Sequence, residues 1–234
     1  MALPPEIAGH LNLDGPPVTP RPAATVLLVR DGDPWELLLV HRPGGADFAP
    51  GAYVFPGGAV HEEDRVWGDQ IAGAALRETF EETGILLARN GAQFAREVEC
   101  AELREAIASG ASFPDAMRAA GLEPALDELV MFARWVTPAQ LRRRFDTRFY
   151  VARMPSGQDV HPQEGEVTDW RWVSPRRALE NQEITLVYAT RAVLESVAAE
   201  PDAETMFSRV RALRDIPIVE PRVVSNAGGW IIER

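Results

Sequence analysis

Cysteine is almost absent from this chain: Cys100 stands alone among 234 residues. One thiol closes no intramolecular disulfide, and without a Cys-His cluster around it no zinc site is indicated, so a reducing compartment fits. No stretch approaches 18 uninterrupted apolar residues, and the opening "MALPPEIAGHLNLDGPPVTPRPAATVLLV" has no basic segment followed by an apolar run. A membrane span and a secretory leader are therefore not expected, and the expected location is cytoplasmic. The ending "GGWIIER" matches none of the retention or peroxisomal tripeptides. Positive charge is in deficit, with 24 basic against 35 acidic residues and a net charge of -11. That balance argues against nucleic acid as a partner, while leaving room for a local basic pocket around a small anion.

Apolar residues make up 46% of the chain, enough to bury a sizeable core. Residues 1–22 carry six of the 19 prolines and little periodicity, which predicts an extended arm. From Ala23 onward the pattern is that of strands: "AATVLLVR" and "WELLLVHR" flank the turn signal "DGDP", and "AYVF" stops at Pro56. Between Asp69 and Thr83 the spacing becomes helical, with Gly84 at the expected stop. Residues 89–129, rich in Ala, Glu and Leu, predict a helical insertion. "ELVMFARWVTP", "TRFYVAR" and "VTDWRWVSP" predict a return to strands, with Trp170 and Trp172 packed in the core. "PRRALEN", residues 184–200 and "AETMFSRVRALRD" predict C-terminal helices, and "IPIVEPRVVSNAGGWII" a last hairpin.

The helix before Gly84 raises a physical question. Glu78, Glu81 and Glu82 lie at helical spacings that put them on one side within a single turn, where like charges repel by a few tenths of a kcal/mol per pair, roughly. Arg77 reaches Glu81 at i+4, but one guanidinium leaves two carboxylates uncompensated. Hard divalent cations with oxygen ligands are the natural remedy, and Mg²⁺ is commonly held by one or two carboxylates together with waters and substrate phosphates. A solvated helix face is the competing account. Ahead of the helix, Pro56-Gly57-Gly58 permits close approach of backbone to a ligand.

The stretch resembles the Nudix hydrolase family, whose box reads G-x5-E-x7-R-E-U-x-E-E-x-G-U with U a bulky apolar residue. Gly58, Arg77, Glu78, Glu81, Glu82, Gly84 and Ile85 match it residue by residue. Two departures stand out. Arg77 follows Gly58 by 19 residues where the pattern has 14, and the first box glutamate has no clear counterpart. Asp64 keeps the spacing from Gly58 and Asp69 the spacing to Arg77, so both are candidates for that ligand. Thr79 replaces the apolar residue after Arg-Glu.

The resemblance implies an α/β fold, a Nudix-type α/β/α sandwich with a mixed β-sheet, extending as one domain over residues 23–234. It also implies hydrolysis of a nucleoside diphosphate derivative with Mg²⁺ or Mn²⁺. Glu78, Glu81 and Glu82 would be metal ligands, one of them also a base, and Arg77 would orient Glu81; catalytic roles fall to Glu81, Arg77 and Glu78. A homodimer is expected on family grounds alone.

Upstream, "LLVHRPGGADFAPGAYVFPGG" resembles the segment before the box in coenzyme A diphosphatases of this family. From 23 to 190 the chain looks most like the peroxisomal coenzyme A diphosphatase branch and its bacterial relatives. Coenzyme A or an acyl derivative is accordingly the expected substrate, with ADP-ribose or an NADH-type dinucleotide, or a nucleotide-sensing module without catalysis, as alternatives. Arg42, Gly57, Gly58 and Arg148 are the candidate substrate contacts, Arg148 or a neighbouring arginine being the member of "LRRRFDTRFYVAR" expected to reach a pocket. Glu166, favoured over Glu164, is a candidate extra carboxylate near the metals.

Overall fold

The computed structural model describes residues 10–12, 14–46, 49–226 and 229–233. Of the arm expected over residues 1–22, residues 1–9 and 13 lie outside the described residues.

Two long apolar runs build the centre of the fold. β1 (Arg21–Arg30) is buried along seven consecutive residues, as a strand covered on both faces must be. β9 (Phe145–Arg153) runs parallel to it over nine paired positions, from Arg21 opposite Phe145 to Val29 opposite Arg153. Around this pair the main sheet follows the order β10-β2-β1-β9-β8-β11, formed by β10 (Asp169–Val173), β2 (Glu36–His41), β8 (Val130–Val136) and β11 (Ile218–Val219). Short strands β3 (Tyr53–Val54) and β4 (Gly57–Ala59) pair with β2 and β1. β8 and β11, like β1 and β9, are parallel and the remaining pairings antiparallel, so the sheet is mixed.

Because side chains alternate along a strand, each face of the sheet feeds a separate core. Ala24, Val26 and Leu28 of β1 point to one layer, where Leu76 and Phe80 of helix α1 (Gln70–Thr83) pack with residues of α2 (Glu97–Ala108) and α3 (Phe113–Ala119). Leu27 and Val29 point to the other, filled by Ala178 of α4 (Pro175–Glu180), Val193 and Leu194 of α5 (Tyr188–Val197), and Met206 and Phe207 of α6 (Ala203–Arg211). The result is the α/β/α sandwich.

α1 is defined at both ends by its own sequence. The Asp69 carboxylate accepts from the amides of Ile71 at 2.9 Å and Ala72 at 3.2 Å, capping the start. Gly84, at φ 74°, ends it in the left-handed conformation glycine adopts without strain. Thr79, in place of an apolar residue, is buried but satisfied, its hydroxyl donating to the Ala75 carbonyl at 2.7 Å.

Three expectations need correcting. The insertion after α1 contains α2 and α3 but also a three-stranded sheet of β5 (Ala88–Asn90), β6 (Gln93–Phe94) and β7 (Glu123–Pro124), so it is not purely helical. Residues 184–187 are extended rather than helical, because Leu186 bridges to Tyr53 and the Thr185 carbonyl accepts from the Tyr53 amide at 2.8 Å. Trp170 is exposed on the edge strand β10 and packs in no core, while Trp172 is half-buried against the α1 side. At the C-terminus β12 (Arg222–Asn226) and β13 (Gly229–Glu233) form the expected hairpin. Among the described residues no helix is long and apolar enough to cross a membrane.

Candidate functional site

β4 lies antiparallel to β1 and carries Gly57 and Gly58 beneath the last turns of α1. The approach is close enough to exclude any side chain. A Cβ on Gly57, at φ 152°, would stand 2.3 Å from the Ala24 carbonyl oxygen, and one on Gly58 would stand 2.4 Å from the Glu78 carboxyl carbon. The Gly57 amide donates to the Glu82 carboxylate at 2.9 Å. Glu78 and Glu82, one turn apart on α1, thus face the same glycine pair.

Both line a cleft of about 970 Å³. Arg42, at the end of β2, enters it with its guanidinium 3.9 Å from Glu82. Glu166 comes from the loop before β10 and lies near enough to Glu82 to repel it electrostatically. Burial, and after it the charge of Glu78, pushes the Glu82 carboxyl up to about 8, against the opposing pull of the Gly57 amide and Arg42. Farther along, the walls turn apolar: Trp135 meets Tyr188 edge to face at 5.9 Å, with Phe149, Leu186, Leu141 and Ile232 around them.

Arg77 sits behind this arrangement, only 1% exposed, and gathers the remaining carboxylates. Its guanidinium donates to Asp64 at 2.9 and 3.1 Å, to Glu78 at 2.9 Å, to Glu81 at 2.7 Å and to the Ala59 carbonyl at 3.0 Å. Burial disfavours its charge, but these carboxylates outweigh the penalty and hold its pKa above the ordinary arginine value. Glu78 and Glu81 are both raised by burial, with Arg77 opposing.

The structure gives Asp64 and Asp69 other partners. Asp64 is fully buried, its two oxygens taken by Arg77 and by the His61 amide at 2.7 Å. Asp69 is spent on capping α1, at the opposite end of the helix from Glu78 and Glu82. Neither lines the cleft of Glu78, Glu82 and Glu166. The five-residue lengthening instead forms a 3-10 turn (Glu62–Trp67) that delivers Asp64 to Arg77.

Arg148 also misses the cleft, for a reason of parity. Thr147 and Phe149 face the cleft, so Arg148 between them faces the α1 side, in a separate depression with Arg65 and Asp69. Several cleft residues escaped sequence reasoning. Arg21, Arg143 and Trp135 lie on sheet strands or their lead-ins, where alternation could have assigned them to one face. Thr185 to Thr190 carry no such signal.

Among the described residues no three His, Cys, Asp or Glu side chains stand together as a ready metal cage. The donor set nevertheless suits a hard divalent cation. Glu78, Glu82 and Glu166 supply oxygen donors to one cleft, and Mg²⁺ is commonly held by one or two protein carboxylates when phosphate oxygens complete its shell.

This combination of a mixed-sheet sandwich with a Gly-Gly strand under an Arg-Glu-x-x-Glu-Glu helix is that of the Nudix hydrolases. The NUDIX hydrolase from Alicyclobacillus acidocaldarius superposes with a TM-score of 0.69 at 31% identity, covering 82% of this chain and 96% of that one. The profile of the NUDT19 Nudix domain matches residues 68–190, more than half of the chain, which belongs to that family. Nudix hydrolase 7 of Caenorhabditis elegans is 30% identical over 145 residues, 62% of this chain and 48% of that protein. The acyl-coenzyme A diphosphatase NUDT19 of Xenopus laevis is 26% identical over 207 residues, 63% of this chain and 54% of that protein. The chain thus spans about half the length of these curated relatives.

Proposed function

We propose that this protein hydrolyses the diphosphate linkage of a nucleoside diphosphate derivative in the presence of Mg²⁺ or Mn²⁺, with coenzyme A or an acyl-coenzyme A as substrate. The observation that carries the reading is the convergence of Glu78 and Glu82 on the Gly57-Gly58 backbone, with Arg42 and Glu166 lining the same cleft, which continues into an apolar arm.

Glu78 and Glu82 would hold the metal, with Glu81 and Glu166 as further donors. When bound, the ion neutralises diphosphate oxygens and lowers the pKa of a coordinated water. Arg42 suits one phosphoryl group, since its planar fork matches phosphate geometry. Gly57 and Gly58 let β4 lie against β1 and the Glu78 carboxylate with no Cβ between them, which brings that carboxylate to the backbone. Glu81, held by Arg77, is the group assigned to accept the water's proton; Arg77 is a positioning residue. The apolar walls at Trp135 and Tyr188 offer a place for the uncharged part of the substrate, in keeping with relatives named acyl-coenzyme A diphosphatases.

The test is incubation of the purified protein with Mg²⁺ or Mn²⁺ and a panel of coenzyme A, acyl-coenzyme A, ADP-ribose and NADH, with chromatographic detection of split products. Cleavage of the coenzyme A members, abolished by chelation, supports the proposal. Tight binding of one compound with no cleavage of any would identify a sensor instead.

A further inference from the structure

Three consecutive arginines, Arg142, Arg143 and Arg144, lead into β9, and the fold uses them differently. Arg142 donates through Nε to the Leu11 carbonyl at 3.0 Å, while its amide donates to the His10 carbonyl at 2.9 Å. Arg144 is 7% exposed and donates to the carbonyls of Thr137 at 3.0 Å and Val18 at 2.7 Å and to the Glu220 carboxylate at 2.5 Å. Both flanking residues are therefore structural, fastening this segment to chain from before β1 and after β11. Arg143 between them is exposed and lines the cleft.

A second arginine stands alongside. Arg21 opens β1, pairs in register with Phe145, donates its amide to the Arg144 carbonyl at 2.9 Å, and also lines the cleft. Ala24 pairs with Gly58, and Arg21 lies three residues earlier, about 10 Å at a strand rise of ~3.3 Å per residue. The chain has no lysine, and its net charge of -11 repels anions in general, so two guanidiniums on one cleft wall are a local reversal of sign.

We propose that Arg21 and Arg143 form a second anion-binding subsite that selects a nucleoside diphosphate derivative carrying a further phosphate outside the scissile diphosphate. The proposal rests on the reading of the cleft as a diphosphate site. Arg42 and the metal-binding carboxylates serve the scissile diphosphate; Arg21, three residues before Ala24 on β1, and Arg143, two residues before Phe145, the partner of Arg21, line the neighbouring stretch of the same cleft, where another phosphate of one ligand would lie. Guanidinium forks suit a terminal phosphate, which offers several oxygens to paired N–H donors.

The test compares substrates that differ by that phosphate: coenzyme A with its dephospho form, ADP-ribose with its 2′-phosphorylated form, and NADH with NADPH, each with Mg²⁺. In whichever pair is cleaved, the wild-type protein should favour the phosphorylated member by roughly tenfold or more in kcat/KM, carried by KM, as one lost charge-assisted contact implies. Arg143→Ala and Arg21→Ala should each bring that ratio toward one, and Arg143→Lys should keep part of it. Both positions are exposed, so the variants should fold. A wild-type protein with no preference, or a preference that survives both alanine variants, overturns the subsite. If no pair is cleaved, the hydrolase reading falls separately, and calorimetric titration of the same pairs decides the subsite by the same ratio.

Discussion

The carboxylates on and around helix α1 differ in how their charge is met. Behind the helix, Asp64 is fully buried and both its oxygens are held by Arg77, which reaches on to the partly exposed Glu78 and Glu81. Toward the cleft, Glu82 has the Gly57 amide and a guanidinium at 3.9 Å, and Glu78 and Glu166 oppose it. The same residue type thus builds a strut on one side and a site on the other. Complete local compensation stabilises structure, while incomplete compensation leaves a carboxylate available to a cation or a substrate.

The largest effect should come from breaking the closed side. Arg77→Ala leaves Asp64 buried without a counter-charge and should cost about 3–5 kcal/mol of stability in urea unfolding. Asp64→Asn in that background should recover part of the loss; a cost below about 1 kcal/mol would erase the contrast between the two groups.

Glu82→Gln should act in the opposite sense, lowering kcat by about 100-fold or more without destabilising the metal-free protein. Glu82 titrates near 8 in the fold against 4.5 ordinarily. A raised carboxyl contributes stability fully present below the unfolded pKa and lost as pH rises through the folded one. Stability of chelated wild-type protein should therefore fall between about pH 4.5 and 8, and melts of Glu82→Gln should be flatter over that window.

The two glycines separate the same contrast at smaller scale. Gly57→Ala drives a Cβ into the Ala24 carbonyl at a positive φ, and should cost about 1–3 kcal/mol in unfolding experiments. Gly58→Ala meets the movable end of Glu78 and should spare stability while reducing turnover, measured on the same preparation. Least of all, Arg148→Ala should leave kcat/KM within about twofold, because its side chain lies on the other face of the sheet; a tenfold loss would mean that the depression holding Arg148 takes part in binding.

Much of this was legible in the residue order. The apolar runs of β1 and β2, the capping Asp69 and stopping Gly84 of α1, and the Arg-Glu-x-x-Glu-Glu spacing are local signals whose physics acts within a few residues. The lengthened loop was visible as an anomaly but not interpretable, because the destination of Asp64 depends on where the 3-10 turn folds back. Trp170 could not be placed from its alternation, since β10 is the sheet edge only by virtue of how distant strands pair.

By itself, then, the sequence determined that this chain carries a carboxylate-rich helix after a Gly-Gly strand, and through that pattern its family. Tertiary structure alone decided which carboxylates Arg77 neutralises, which face of β9 looks into the cleft, and that Arg21 and Arg143 meet there. Those outcomes depend on strand parity and on segments folding back on one another, Asp64 onto Arg77 and Arg21 beside Phe145, and no local propensity encodes either.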